Sequence, residues 1–380
     1  MTDTKVVHIT TVHHPLDPRI TLKECRSLAE TGYDVTLIAK EAENVPETIH
    51  GVKYDPFKQT GKRFVSMFVS PFKVYKKAKE YQADVYHIHD PELLPVGYFL
   101  KKQGNVVIYD VHEDYETGIV TRDYFNQPVR KLLSKIFKAV ETVTSKKMNV
   151  ILAEKYYQEK YPQGVCVLNY PILENQPYTE VERDFNNASA LLYTGNVTED
   201  RGALQHALFP AIDNSISVTL IGRCPKDLYL AMKNVAGAAA ERLQVIGVNE
   251  YIAKDDIDEM YARDGWLAGV AMFPDSPHYE RKELTKFFEY MLAGLPVVCT
   301  NMPEWKAFID RHDCGLTAEP DNPDDLRQVL ETLRNNPERA KEMGINGRNA
   351  VKKELHWGIQ EQLLLDSYAR FIKKEKGEPS

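Results

Sequence analysis

Short runs of β-branched and aliphatic residues recur along the chain, separated by longer stretches with helical periodicity. In the first half they predict strands at Lys5–Thr11, Asp34–Ala39, Ala83–His89, Val106–Val111, Val150–Ala153 and Val165–Leu168. The second half repeats the rhythm at Ala190–Thr194, Ser217–Gly222, Leu243–Ile246, Gly269–Phe273 and Pro296–Thr300. Such alternation argues for a parallel sheet in each half, with helices on both faces. Between the halves, Asn169–Asn187 holds Pro171, Pro177 and polar residues with little periodicity, which suits a linker. We expect an α/β domain over 1–180, a second over 181–355, and a terminal segment 356–380 that crosses back to the first. The last helix, about Ile359–Lys373, has Leu363, Leu364, Tyr368, Phe371 and Ile372 on one face and needs a surface to cover. Open parallel sheets bind ligands at the carboxyl ends of their strands, so two facing domains place the working site between them.

The 380 residues suffice for two cores, and 43% hydrophobic with 27% charged residues excludes disordered and low-complexity classes. A net charge of -7 disfavours nucleic acid as a partner. That charge is uneven, with 24 basic and 23 acidic residues in 1–180 against 24 and 32 in 181–380. Five scattered cysteines without a C-x-x-C pair fit a reducing compartment. The N-terminus lacks the apolar stretch of a signal peptide, and no segment approaches the roughly 20 apolar residues of a membrane span. We therefore expect a cytoplasmic protein whose membrane contact, where it occurs, is peripheral on the inner face of the cell membrane.

Glu280–Thr300, ERKELTKFFEYMLAGLPVVCT, is the most informative stretch. Its helix is predicted to start near Thr285 as N-cap and to stop at Gly294. Phe288, Met291 and Leu292 share one face, and Lys286 and Glu289, three apart, are neighbours on another edge. A cation in the first turn adds to backbone N–H groups that already attract anions, so phosphate is the natural ligand. A carboxylate one turn further on can accept two hydrogen bonds from a vicinal diol such as that of ribose. A surface ion pair on a core helix would account for the same spacing. After Ala190–Thr194, Gly195-Asn196-Val197-Thr198-Glu199-Asp200-Arg201-Gly202 reads as a turn able to present N–H groups to a diphosphate, or as a solvated loop. Arg223, after a further strand, is a cation of the same kind or half of a surface salt bridge.

Two polar clusters, DVYHIHDPELLP (Asp84–Pro95) and VIYDVHEDY (Val107–Tyr115), lie at predicted strand ends in the first half. Three readings stay open: metal binding by His87, His89, Asp90, His112, Glu113 and Asp114; histidines satisfied inside a cleft; or sugar and acceptor recognition by hydrogen bonding. Two basic windows accompany them. Residues 58–79 hold seven cations and no acid, with Phe64, Val65, Met67, Phe68, Val69 and Phe72 interleaved, and 124–147 hold six cations with Glu141 as the only acid. Such segments dock on anionic leaflets, at about 1 kcal/mol per surface cation, or are ordinary helices with a solvated face.

FFEYMLAGLPVV resembles the second half of the E-x7-E-x-M-x-A-G-x-P-V motif of the retaining, GT-B-fold glycosyltransferases of family 4, matching at Glu289, Met291, Ala293, Gly294, Pro296 and Val297. The family's first Glu falls on Arg281, with Glu280 and Glu283 adjacent, and Leu284–Met291 is similar to the L-x-K-x-F-E-Y-M form of many members. The resemblance covers nearly the whole chain and is closest to a polysaccharide-associated subset. It implies two Rossmann-like parallel-sheet domains facing across a cleft, and transfer of a sugar from a nucleotide diphosphate sugar, a UDP-sugar favoured, to a glycan or lipid-linked acceptor with retained anomeric configuration. Cell-surface polysaccharide or glycoconjugate synthesis is the implied setting, with no cofactor and no catalytic metal. By the same resemblance Arg201 and Lys286 neutralise the diphosphate, Glu289 holds the ribose and His112 orients the sugar. Gly195, Asn196, Arg223, Val248 (within Val245–Tyr251), Glu280, Leu284 and Thr285 complete the donor site. Asp17 and Arg19 of the first loop, with His89, Asp90 and Glu113, line the acceptor side. A nucleotide-sugar 2-epimerase of the same architecture, a catalytically inactive partner subunit and a metal-dependent hydrolase are the alternatives.

Overall fold

The computed structural model describes residues 4–59, 63–112 and 140–377, with the backbone alone over 63–68. Glu113, Asp114 and most of the second basic window lie outside the described residues. The chain divides into two compact units, Met1–Asn169 with Trp357–Ser380, and Tyr170–His356.

The first unit is built on an eight-stranded sheet of β1 (Lys5–Ile9), β2 (Asp34–Lys40), β3 (Thr48–Ile49), β4 (Val52–Phe57), β5 (Val85–Ile88), β6 (Val106–Val111), β7 (Asn149–Leu152) and β8 (Val165–Cys166), in the order 3-4-2-1-5-6-7-8. Every pairing is parallel except that of β3 with β4. Both β5 and β6 are buried along their whole length, which is why their sequences read as continuous rather than alternating apolar runs. The β4 strand was not expected, because Lys53, Asp55 and Pro56 interrupt its apolar residues. Val52 and Tyr54 nonetheless face inward, and the strand sits near the sheet edge, where Pro is tolerated.

The second unit has a fully parallel six-stranded sheet, β9 (Ala190–Thr194), β10 (Ser217–Cys224), β11 (Leu243–Val248), β12 (Trp266–Ala271), β13 (Val297–Thr300) and β14 (Gly315–Ala318), ordered 11-10-9-12-13-14. The β12 strand ends before the expected Phe273 because the Met272 amide leaves the ladder to donate to His206 Nε2 at 3.0 Å. The short edge strand β14 was also not expected.

The stretch after Asn169 is packed rather than a free linker: Tyr170, Tyr178 and Phe185 are buried, and the Tyr178 ring lies 4.9 Å from that of Tyr261. The terminal helix Trp357–Lys376 buries Leu364, Tyr368 and Phe371 within the first unit, and its Trp357 Nε1 donates to Ser27 Oγ at 3.0 Å. Among the described residues no helix is long and apolar enough to cross a membrane.

Candidate functional site

In the second unit the strand order reverses between β9 and β12, the position where open sheets leave a crevice at their carboxyl ends. The segment after β9 turns at Gly195 and Asn196 and re-enters a helix at Gly202. A Cβ on Gly202 would stand 1.8 Å from Met272 O, and its φ of +77° is in the left-handed region, so this turn requires glycine. Arg201 comes out of the turn half-buried. Its Nε donates to the Tyr279 hydroxyl at 3.3 Å, and that hydroxyl donates to Asp200 Oδ2 at 2.7 Å. Burial opposes the Arg201 charge, but Tyr279, Tyr193 and Asp200 outweigh it and keep the guanidinium protonated.

The helix Thr285–Leu292 follows β12. Leu284, not Thr285, is its N-cap residue, and no side chain caps it; Thr285 is already helical and exposed, so the first turn stays open. Phe287, Phe288, Tyr290, Met291 and Leu292 are all buried, and so is Lys286. The Lys286 Nζ has no hydrogen-bond partner among the described residues and lies 3.8 Å from the Tyr193 ring centroid and 4.8 Å from that of Phe273. Burial, then the Arg201 charge, push its amine well below the usual lysine range, with Glu289 opposing. The surface ion pair that the spacing allowed is therefore absent. Glu289 instead accepts from the Tyr261 hydroxyl at 2.8 Å and meets Lys254 Nζ at 3.5 Å, and it remains partly exposed. The Tyr261 hydroxyl is held in turn by Thr194 Oγ1 at 2.7 Å.

Two basic side chains thus stand in an aromatic-walled recess, Arg201 hydrogen-bonded to a tyrosine hydroxyl and Lys286 without a hydrogen-bond partner among the described residues. An anion with several acceptor oxygens fits this recess better than any side chain already present. Asn196 and Arg223 are exposed at the ends of β9 and β10, and Val248 is half-buried at the end of β11, so all three share the carboxyl edge of adjacent parallel strands. Glu280 is exposed, and Glu283 accepts from the Tyr170 hydroxyl at 3.3 Å. Tyr193, Tyr279, Tyr261, Phe273 and Lys254 were not foreseen, since nothing in their local sequence separates them from core residues.

The first unit gathers its polar residues at the corresponding reversal, between β1 and β5. His8 and His87 are register partners, so with His89 they face the same side of the sheet. Asp110 is the hub. It accepts from Arg19 Nε at 3.0 Å and Nη2 at 2.7 Å, from His89 Nδ1 at 3.2 Å and from His112 Nδ1 at 3.1 Å. Although burial works against the charge, Arg19 first and then the two imidazoles hold Asp110 well below the carboxylate range. With Nδ1 of His89 donating, its Nε2 accepts from His8 Nδ1 at 2.9 Å; the Tyr368 hydroxyl then donates to His8 Nε2 at 3.2 Å and accepts from His87 Nδ1 at 2.8 Å. Burial keeps all three histidines neutral by lowering their basicity.

Arg19 is spent on this network. It is buried, bridges Asp110 to Glu24 at 3.0 Å and donates to Val167 O at 2.8 Å, so it holds Asp110 and does not face solvent as an acceptor ligand would. Asp17 caps the following turn, accepting from the Arg19 and Ile20 amides at 2.9 Å. Asp90 pins the first loop through Thr10, Thr11 and Val12 and meets His13 Nδ1 at 3.1 Å; despite burial, His13 and the Thr11 amide bring its carboxyl down to about 2. Burial and the Asp90 charge push neighbouring Glu92 up to about 7. His112, half-buried, turns its Nε2 toward His13 Nε2 at 3.1 Å. The metal reading meets a chemical obstacle here. Groups such as His8, Glu24, His87 and His89 lie close enough together, but most of the imidazole nitrogens are already joined in one hydrogen-bonded chain.

Comparison with known proteins supplies the remaining information. Residues 18–157 match the family described as Glycosyltransferase Family 4, and residues 243–350 match Glycosyl transferases group 1. No curated protein sequence matches. Among solved structures, sucrose-phosphate synthase from Thermosynechococcus elongatus superposes with a TM-score of 0.73 at 16% identity over 98% of this chain and 100% of its own. HepE from Anabaena, in complex with UDP-glucose, gives 0.69 at 13% identity over 96% and 99%. WaaG, a glycosyltransferase involved in lipopolysaccharide biosynthesis, gives 0.68 at 14% over 94% and 98%. These likenesses establish the GT-B architecture of two parallel-sheet α/β domains.

Proposed function

Because its two matched segments and its fold make this chain a glycosyltransferase of the GT-B type, we propose that it transfers a sugar from a nucleotide diphosphate sugar to a glycan or lipid-linked acceptor with retained anomeric configuration. The observation that carries the donor assignment is Lys286: a buried amine without a hydrogen-bond partner among the described residues, beside Arg201, at the uncapped head of a helix that bears Glu289 one turn on. Arg201, Lys286 and the open amides of that turn take the diphosphate, and Glu289 accepts from the ribose hydroxyls. His112 hydrogen-bonds a sugar hydroxyl.

The chemistry asks little acid or base of the protein. As the bond from the anomeric carbon to the diphosphate breaks, the departing oxygen takes the proton from the acceptor hydroxyl, and that hydroxyl's oxygen bonds the same face of the sugar. Lys286 and Arg201 stabilise the charge that gathers on the leaving group. No cofactor and no catalytic metal is required. HepE, a structural neighbour, is described with UDP-glucose, which favours a UDP-sugar here. We place the enzyme in cell-surface polysaccharide or glycoconjugate synthesis, in the cytoplasm and against the inner face of the membrane. Thermal-shift screening with UDP-, GDP- and ADP-sugars tests the donor. A ligand at 100 times its Kd stabilises by about 2.7 kcal/mol, so one nucleotide raises Tm clearly and the others do not. A flat response to all three would remove the donor assignment.

A further inference from the structure

Three helical segments of the first unit turn apolar and cationic side chains away from the core. In Arg63–Glu80, Ser70, Val74 and Ala78 are buried at four-residue spacing, so Phe72 and Lys76 point outward, and Phe72 is 60% exposed. Phe99 in the helix Leu94–Lys101 is 52% exposed, and Val143 in the helical residues 140–145 is 58% exposed. Ring and cation contacts join the three segments. Tyr75 and Phe99 have ring centroids 6.2 Å apart, Phe99 and Tyr98 5.9 Å, and Lys147, four residues beyond Val143, lies 5.0 Å over the Tyr98 ring.

Cations are threaded through these rings: Lys76 lies 4.6 Å over Phe72, Lys79 5.6 Å over Tyr75 and Lys102 4.8 Å over Tyr98. Lys102, then Lys147, draw the Tyr98 hydroxyl below the usual phenol range, a mark of local positive potential. Of the carboxylates on or bonded to these elements among the described residues, Asp55 is paired with Lys77, Glu141 is buried against Lys160 at 2.6 Å and Glu375 is paired with Lys101, and Glu80 stands at the helix end. Two other lysines of the first basic window turn aside. Lys77 pairs with Asp55 of β4 at 2.7 Å and Lys73 reaches Lys58 O, just after β4, at 3.2 Å.

Exposed aromatic rings that touch one another mark an interaction site rather than ordinary surface. Rings rimmed by lysine stems suit the headgroup region of a bilayer, where the rings enter the acyl boundary and the ammoniums meet lipid phosphates. We propose that the surface of Phe72, Phe99 and Val143 with Lys76, Lys102 and Lys147 docks this domain on an anionic phospholipid bilayer. It gives the lipid-linked acceptor of the proposed function a place, and rests on that reading for its purpose alone.

The test is cosedimentation of the full chain with phosphatidylcholine vesicles, with and without about a third phosphatidylglycerol. Binding is expected only with the anionic lipid and is reversed by salt. Substituting Lys76→Gln, Lys102→Gln and Lys147→Gln is expected to lower partitioning about fivefold per charge, and Phe72→Ser with Phe99→Ser to abolish it. All five sites are at the surface, so the Tm stays that of the parent. Equal binding to neutral vesicles, no binding to either, or variants that bind like the parent would overturn the proposal. So would a parent dimer that the Phe72→Ser, Phe99→Ser variant loses, since the surface would then belong to a second copy. The nucleotide-sugar thermal shift is unaffected by these substitutions, so the donor reading and the docking surface fail separately.

Discussion

Replacing Lys286 with Met acts on the free and the liganded protein with opposite signs. Met keeps most of the aliphatic stem and removes an amine that has no hydrogen-bond partner among the described residues. A buried unsatisfied donor costs about 1–3 kcal/mol, and the contacts with the Tyr193 and Phe273 rings offset only part of that. The free variant is therefore predicted to be more stable by about 1–2 kcal/mol, or about 2–8 °C in Tm for a unit of this size. Because the folded amine is held below its ordinary value, the unfolded chain binds a proton that the folded chain resists. Stability of the parent then rises with pH toward the ordinary lysine range, and the advantage of Met is largest at low pH and shrinks as pH increases. Donor binding moves the other way. Loss of a charged hydrogen bond to phosphate removes about 1.5–3 kcal/mol, a tenfold to hundredfold weaker Kd. The parent also takes up a proton when the diphosphate arrives, and the variant loses that uptake. Calorimetric titration with UDP in buffers of different ionisation enthalpy reads both quantities. A destabilised free variant with unchanged affinity and unchanged proton uptake would refute the assignment of Lys286 to the diphosphate.

Three further substitutions probe the rest of the framework. Glu289→Gln is predicted to weaken a ribonucleotide about tenfold and to bring it level with its 2′-deoxy analogue, read as the ratio of the two Kd values; a ratio like the parent's would place the ribose elsewhere. Asp90 is held at about 2, below its unfolded value of 3.8, so its contribution of about 2 kcal/mol is present above pH ~4 and is lost as pH falls toward 2. Asp90→Asn should remove that part of the acid sensitivity in urea unfolding, and identical pH slopes would contradict it. Gly202→Ala places a methyl 1.8 Å from Met272 O at a left-handed φ, so a loss of at least about 2 °C in Tm is expected; a neutral outcome would mean that the turn relaxes freely.

The parallel sheets were legible because strands buried on both faces leave continuous apolar runs, as in Val106–Val111 and Ala190–Thr194. The interrupted β4, next to a sheet edge, and the short edge strand β14 lack that signature and escaped for this reason. FFEYMLAGLPVV located the donor helix, with Gly294 at its end adopting a φ of +71°. Spacing along a helix shows which side chains are neighbours, but not what covers them. It therefore left open whether Lys286 was half of a surface ion pair or a buried amine, and only the Tyr193 ring of β9 and the Phe273 ring after β12 decide that. Arg19 shows the same limit. A charged residue in an exposed-looking loop became the buried partner of Asp110, 91 residues away. The basic windows showed charge without direction; folding turned Lys73 and Lys77 aside and brought in Phe99, Lys102 and Lys147 from outside the first window.

Stereochemistry tests the central claim most directly. Without acceptor, water takes the acceptor's place slowly, and proton NMR with a chelator present identifies the anomer that forms first from an α-linked nucleotide sugar. Release of the α-sugar ahead of mutarotation, lost in the Lys286→Met, Glu289→Gln double variant, is the result predicted. First formation of the β-sugar, or turnover that stops with the chelator, would contradict metal-independent transfer with retention.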